Sequence, residues 1–279
     1  MSIEAQIVQY RKQTVALFEQ RVSVLRACTT KESVIQGNQA TFLVAGTAGD
    51  TAVSRGSNGQ IPYSNPQNSQ VTATLVEKHA PYELTGFNIF ASQGDQKRIM
   101  QDGSVAVINR DIDLTVLGEL ANATQAISTA QTASLDLDMK AMTILGNNQV
   151  DVTSENDMFF IGSPAVRAYL MQTTEFAHAD YVDVMPFNGP AVSMRRWAGV
   201  NWHFTPLISG VGTAAEYCYM FHRNALGYAV NVGEENIRVG YDEKQDTSWS
   251  RATVFHGAKI LQNAGIVKIT HDGSAYAAG

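Results

Sequence analysis

The sequence predicts an α+β fold, because its helix-like and strand-like segments come in blocks and do not alternate as βαβ units. Helical periodicity dominates from about residue 95 to 127, whereas residues 197–230 and 236–270 are rich in β-branched and aromatic side chains. The chain has 279 residues, 44% of them apolar, which is enough to bury a sizeable core. No repeat with a period of roughly 20–50 residues, the sign of a solenoid, is present.

Residues 2–28 are predicted to form an amphipathic helix. Apolar side chains recur at spacings of three, four and seven residues, which places them on one face. The members of this stripe are Val8, Val15, Phe18, Val22 and Leu25. Two roles stay open for the helix: it packs on its own domain, or it lies as an arm on a neighbouring subunit.

Two strand-like runs, residues 39–45 and 70–77, enclose an insert (residues 46–69) rich in glycine, serine, asparagine and proline. A structureless loop of that length is uncommon inside a compact domain unless it has a function. An extended hairpin whose arms contact a neighbouring subunit would be such a function. Pro81, in the next extended run, fits an edge strand or a bend and not a central strand.

A long helix is predicted from about Asp95 to Ile127. At about 30 residues it would span about 45 Å. Asp111 and Asp113 lie two positions apart and therefore point to different faces, so they do not form a catalytic pair. The predicted buried stripe comprises Val105, Ile108, Ile112, Val116, Leu120, Ala123 and Ile127.

Shorter elements are predicted in the rest of the chain. Ser163 is expected to cap a helix that has Pro164 at its first position. The others are a helix at 134–149, a buried strand at 157–162, an irregular segment at 175–195, and extended runs at 237–243, 249–261 and 266–270.

Composition excludes several classes of function. A net charge of −6, with only 16% charged residues, is unsuited to gripping a nucleic-acid backbone, which needs a basic stripe. No apolar stretch approaches the roughly 18 residues of a membrane span, and the N-terminus lacks the pattern of a signal peptide. Cys28 and Cys218 are expected to be buried thiols of a reducing compartment. The histidines have no metal-ligand spacing, and the sequence contains neither a P-loop nor a G-x-S-x-G motif. No metal, cofactor or enzymatic activity is therefore predicted.

Two local motifs allow a sharper interpretation. Gly210 to Ala215 matches the dinucleotide fingerprint G-x-G-x-x-A, but the aromatic residues that follow favour a strand, and so a connecting turn. A nucleotide-using enzyme built on this turn is the least favoured alternative. Arg195-Arg196-Trp197 either meets acidic residues of a neighbouring copy, such as Asp183, or forms a surface turn anchored by a buried tryptophan.

Taken in order, these segments resemble the major capsid (head) protein of tailed bacteriophages, a fold shared with encapsulins. The local similarity lies in Phe159-Phe-Ile-Gly-Ser-Pro-Ala-Val-Arg-Ala-Tyr-Leu170, Trp197-Ala-Gly-Val-Asn-Trp-His-Phe204, Tyr219-Met-Phe-His-Arg-Asn-Ala-Leu-Gly-Tyr-Ala229 and the strands between Gly240 and Ile269. No single motif is specific. The order and spacing over nearly the whole chain carry the resemblance.

The resemblance implies a shell protein. It divides the chain into an N-terminal arm (1–36), an extended loop (37–90), a peripheral domain with a spine helix (91–133 and 233–279) and an axial domain (134–232). Hexamers and pentamers would close an icosahedral head around double-stranded DNA, in a virion assembled in the host cytoplasm. Partners would be a separate scaffolding protein, a portal and possible decoration proteins. An encapsulin-like compartment is the alternative within the same fold.

Some members of the resembled family lock the shell with an isopeptide bond from a lysine of the extended loop. No lysine occurs between Lys31 and Lys78 in this chain. The loop is therefore expected to hold without covalent bonds, through strand pairing, the apolar residues Ile61 and Tyr63, and Arg55 as an ion-pair partner. The arm stripe and the cluster of Asp183, Arg195 and Arg196 complete the predicted contacts between subunits.

Overall fold

The computed structural model describes residues 22–32, 35–46, 51–63, 65, 67–88, 96–154, 156–173, 195–231 and 236–277. The predicted α+β class is confirmed, since the described strands form three sheets and the longer helices pack against them. Residues 1–21 and 174–194 lie outside this description, and with them most of the predicted arm helix and of the segment expected to be irregular.

The helices are α1 (Gln96–Leu120), α2 (Leu135–Asn147) and α3 (Pro164–Leu170), with short 3-10 helices at Leu25–Cys28, Arg223–Ala225, Asn263–Gly265 and Ser274–Tyr276. The strands are β1 (Thr30–Glu32), β2 (Ile35–Gln36), β3 (Gln39–Gly46), β4 (Gln67–Thr74), β5 (Val76–Thr85), β6 (Ala126–Gln131), β7 (Met158–Gly162), β8 (Arg195–Trp197), β9 (Val200–Phe204), β10 (Glu216–His222), β11 (Leu226–Val230), β12 (Asn236–Asp242), β13 (Thr247–Ile260) and β14 (Ile266–His271).

A six-stranded mixed sheet in the order β6-β14-β10-β7-β9-β8 contains the largest part of the core. Its central strands are apolar on both faces because helices cover them, and Phe160, Trp202 and Tyr219 are almost fully buried. The predicted N-cap is present, because the Ser163 hydroxyl accepts the Val166 N–H at 3.2 Å. The Ser134 hydroxyl caps α2 in the same way and accepts the Leu137 N–H at 3.3 Å.

A five-stranded sheet is built around the long strand β13. On one edge β13 pairs with β5, and on the other it pairs first with β12 and then with β11. Helix α1 packs on this sheet through the predicted stripe, of which Ile108, Ile112, Val116 and Leu120 are buried. Within the described residues β5 pairs only with β13, so Pro81 lies in an edge strand as predicted.

Two predicted helix ends are wrong. Residues 22–24 are not helical, and after the short 3-10 helix at Leu25–Cys28 the chain enters β1, which pairs in parallel with β11. Helix α1 ends at Leu120, and Ile127 lies in β6 opposite Ile269 of β14. A strand ladder supplied by a distant part of the chain outweighs local helical periodicity at Ile127.

The chain crosses between the two large sheets more than once. Strand β11 lies in the sheet with β13, whereas β14 lies beside β10 in the six-stranded sheet. The domain boundaries expected from the resemblance, including the one near residue 233, stay predictions.

Candidate assembly surfaces

The extended hairpin is fixed to its own subunit at the root. Strands β3 and β4 pair without interruption from Gln39–Thr74 to Gly46–Gln67, which confirms the predicted hairpin. Along β3 the side chains alternate, and Ala40 and Phe42 are buried against Ala229 of β11. A Cβ atom at residue 227 would lie 2.8 Å from Phe42 Cζ, so the ring occupies the space that Gly227 leaves open.

A second contact sets the direction of the hairpin. A Cβ atom at residue 257 would lie 2.3 Å from the carbonyl oxygen of Thr74, so only a glycine in β13 allows β4 to approach this closely. The Leu75 N–H donates to the Asn38 carbonyl at 2.8 Å and closes the root. These two contacts hold the root of the hairpin, where β4 continues into β5, and the two strands extend outward from this root.

The distal part of the loop is not covered by any of the residues that the structure describes. All described residues from 51 to 63 are exposed, and Tyr63 exposes 94% of its surface. A tight turn organises the segment: the Gly56 N–H donates to the Gln60 carbonyl at 2.8 Å, and the Arg55 guanidinium donates to the Gly59 carbonyl at 2.9 Å. Exposed apolar side chains on a loop with its own turn structure are typical of a contact surface.

The other predicted contact residues have different positions. Val22 is exposed, whereas Leu25 is fully buried inside its own subunit and is not available to a neighbour in this fold. The Arg196 guanidinium donates to the Asn156 side chain at 2.9 Å. Val15, Phe18, Asp183 and the side chain of Arg195 lie outside the described part of the chain.

Leu25 is buried because the arm is anchored on α1. The Asp113 carboxylate accepts hydrogen bonds from the Ser23 hydroxyl at 2.6 Å and from the Leu25 N–H at 3.2 Å. Asp113 is itself only 1% exposed, so these two donors offset the cost of burying its charge. The apolar spacing of residues 22–25 therefore reflects packing on the subunit's own helix.

Asp111, two residues away, points to the opposite side of α1, as predicted. Its carboxylate lies 3.0 Å from His256 Nε2 of β13 and 3.5 Å from Lys78 Nζ of β5. Burial lowers the pKa of His256, and the hydrogen bond that its ring donates to the Asp111 carboxylate opposes that effect. The middle of α1 thus connects to the arm on one side and to the strand after the hairpin on the other.

One surface was missed by the sequence argument. Ile237, Val239 and Tyr241 alternate along the edge strand β12, and each exposes at least half of its surface. A groove of about 290 Å³ separates Val239 and Tyr241 from Met100 of α1. The signal was present as period-2 alternation of apolar residues, but the sequence does not show that these side chains stay exposed among the described residues.

The fingerprint-like segment is a connecting turn, as predicted. It leads directly into strand β10, not into a helix N-terminus that could receive a pyrophosphate. The buried Glu216 carboxylate accepts the Gly212 N–H at 2.7 Å and contacts His271 Nδ1 at 2.8 Å, and it also accepts the Ser163 hydroxyl. These bonds join the turn, α3 and β14 inside the core.

The two buried thiols are poor nucleophiles, because the thiolate is the reactive form and burial disfavours it. Burial raises the pKa of the Cys28 and Cys218 thiols to about 12, and both thiols are free, as predicted. Burial also raises the pKa of Asp138 to about 8. Among the described residues no group of histidine, cysteine and carboxylate side chains could hold a metal ion. No helix in the described ranges has the length and hydropathy needed to cross a membrane.

A family model described as "Phage capsid protein" matches residues 3–273. The chain belongs to the phage capsid protein family. Its members are structural proteins of the virion, and the matched region includes the hairpin, the long helix and all three sheets. The match supports the phage capsid interpretation and not the encapsulin-like alternative.

Solved phage capsid proteins have the same fold. The capsid structure of the cyanophage P-SCSP1u aligns with a TM-score of 0.72 at 11% identity, covering 96% of this chain and 93% of that chain. The capsid of Ralstonia phage GP4 gives 0.69 at 10% identity, covering 98% of each chain. The capsid of a native GTA particle gives 0.67 at 12% identity, covering 98% of this chain and 99% of that one. A search of curated protein sequences found no significant relative.

Proposed function

We propose that this capsid protein is the major subunit of an icosahedral phage head, in which it forms hexamers and pentamers around double-stranded DNA. The observation that carries the proposal is the extended hairpin, which is docked at its root and exposed throughout residues 51–63. An isolated ribbon of two strands is marginally stable in water, so a loop of this kind needs a partner surface. A neighbouring subunit of the same shell supplies one.

The contacts between subunits involve three parts of the chain. The distal loop contributes Ile61 and Tyr63 as apolar anchors and Arg55 near its turn. The arm contributes Val15, Phe18 and Val22. A third contact joins Arg195 and Arg196 to Asp183 of a neighbouring copy.

The loop contact is non-covalent. Without a lysine between Lys31 and Lys78, this loop has no amine for an isopeptide bond. Shells heated in detergent should therefore run as single subunits on a denaturing gel. A ladder of covalent oligomers would contradict this part of the proposal.

The charge of the chain suits a container for DNA. A net charge of −6 repels the phosphate backbone weakly, so the shell encloses DNA without binding a sequence. Assembly takes place in the host cytoplasm, with a scaffolding protein and a portal as partners and possible decoration proteins on the finished shell.

Sedimentation and electron microscopy of the purified protein test the proposal. We expect closed particles with hexameric and pentameric capsomers, and nuclease-resistant double-stranded DNA in native particles. A protein that stays a monodisperse monomer under all assembly conditions would refute it. Native particles that hold an enzyme cargo and no DNA would refute the DNA-packaging part.

Limited proteolysis tests the loop separately. A protease should cut residues 46–69 rapidly in free subunits and slowly in shells, because the shell covers the loop. Cleavage at another exposed site, such as the β12–β13 turn around Lys244, is the internal control for protease activity. Equal cleavage of the loop in both states would exclude an intersubunit role for it.

A further inference from the structure

The alternation of hydrogen-bonded and non-hydrogen-bonded residue pairs in the hairpin shows which main-chain groups of β4 form no hydrogen bond with β3. The Leu75 N–H donates to the Asn38 carbonyl, so residues 38 and 75 form a hydrogen-bonded pair. Such pairs recur at every second position of an antiparallel ladder. In the observed register the bonded residues of β4 include Val71 and Ser69. The residues between them, Asn68, Gln70 and Thr72, direct their N–H and C=O groups away from β3.

This outer edge of β4 is open over most of its length. In the described part of the chain β4 pairs with β3 alone, and its side chains at 68, 70 and 72 are exposed. Only the end at Thr74 is occupied, where its carbonyl meets the backbone of Gly257. Beyond the short contact with β2 at Gln39 and Ala40, the hairpin is a ribbon of two strands.

The edge also lacks the features by which soluble proteins block strand addition. Charged residues, proline and bulges normally protect an exposed edge. Edge strand β5 contains Pro81 and several charges, and β12 contains Arg238 and Asp242. Strand β4 contains none of these, and between Ser33 and Val76 the only charged residues are Asp50 and Arg55. The register of β3 and β4 is continuous, without a bulge.

We propose that a strand from a second copy of this chain adds to the outer edge of β4 and pairs with the main-chain groups of Asn68, Gln70 and Thr72. The inference rests on the proposed function, which brings identical copies of the hairpin into contact at high local concentration. Strand addition derives its affinity from main-chain hydrogen bonds. A third strand also converts the marginal two-stranded ribbon into a stable sheet. The loop contact is then specified mainly by backbone, with Ile61 and Tyr63 adding apolar area.

Residue-resolved amide hydrogen exchange gives a direct test with an internal control. In free subunits the amides of Ser69 and Val71 are protected by β3, whereas those of Asn68, Gln70 and Thr72 exchange fast. In assembled shells we expect the second set to slow by at least about tenfold, the effect of roughly one net hydrogen bond. If shells form and these three amides exchange as fast as in free subunits, strand addition is wrong while the proposed function stands. If no shell forms, the proposed function itself fails.

A pair of substitutions at one site provides a second test. Gln70→Pro removes an outward N–H that β3 does not use, whereas Gln70→Ala removes the side chain and keeps the N–H. We expect the proline variant to raise the protein concentration needed for assembly by about tenfold or more, and the alanine variant to leave it within about twofold. Equal assembly by both variants would overturn the proposal. The exchange pattern of the unmodified protein decides the matter if the proline variant fails to fold.

Discussion

Removal of the Phe42 ring should detach the hairpin root without unfolding the subunit. Phe42 is 3% exposed and belongs to a small cluster with Ala40, Ala73 and Ala229 that is separate from the main core. Truncating a buried phenylalanine costs about 3–5 kcal/mol. The cluster is small and one side of it is a ribbon of only two strands, so we take the lower value, about 3 kcal/mol. This corresponds to a docking equilibrium shifted by roughly a hundredfold toward the detached state.

Amide exchange of Phe42→Ala in the free subunit measures this shift. The amides of Ala40 and Ala73 should exchange roughly a hundredfold faster, whereas amides of the six-stranded sheet should keep their protection, because the two cores are distinct. Leu43→Ala is the matched control, since Leu43 is the next residue, 68% exposed, and points to the opposite face. It should change the unfolding free energy by less than about 0.5 kcal/mol. Unchanged exchange at the root in Phe42→Ala would refute the account of how the hairpin is held.

Further tests concern the polar groups. Asp113→Ala leaves the Leu25 N–H unsatisfied in a buried site, so the free energy of unfolding in urea should fall by about 2 kcal/mol and a protease should cut the arm faster. Asp102→Ala, on the same helix but exposed, should lower that free energy by less than about 0.5 kcal/mol. Equal losses in the two variants would contradict the anchoring of the arm by Asp113. The pKa of Asp138 is raised from 3.8 to about 8. The native state then keeps a proton that the unfolded state releases, and stability falls as pH rises from about 4 to 8. Asp138→Asn removes this pH dependence, because asparagine does not ionise. The free energy of unfolding of Asp138→Asn, measured in urea and relative to the wild type, should therefore increase by up to about 3 kcal/mol between pH 5 and 7.5. A difference that does not change with pH would show that Asp138 is ionised in the folded protein.

Much of the fold follows from local patterns. Two strand-like runs, residues 39–45 and 70–77, on either side of a long insert rich in glycine, serine, asparagine and proline predict the hairpin. The N-cap at Ser163 was predicted because a cap depends on residues only three positions away. The buried stripe of α1 was equally local.

The errors arise where distant residues decide. Helix α1 ends at Leu120 because β14, near the other end of the chain, offers β6 a parallel partner. Leu25 fitted the predicted apolar face of the arm helix, but its N–H donates to the Asp113 carboxylate of α1 and its side chain is buried in the core. The alternating Ile237, Val239 and Tyr241 could have been found as a strand, yet only the packed structure shows that this edge stays open. In each case the missing information is which element lies beside the segment.

The near absence of charge in the hairpin has a consequence for how a shell responds to its medium. Salt weakens attraction between charges and has little effect on main-chain hydrogen bonds and apolar contacts. Between Ser33 and Val76 the two charged residues are Asp50 and Arg55, and Arg55 is already engaged with the Gly59 carbonyl of its own turn. The loop contact should therefore keep its strength from dilute buffer to high ionic strength. The proposed contact of Arg195 and Arg196 with Asp183 should weaken as salt is added, because ions screen the attraction between exposed charges. A shell in concentrated salt would then be held mainly by its hairpins.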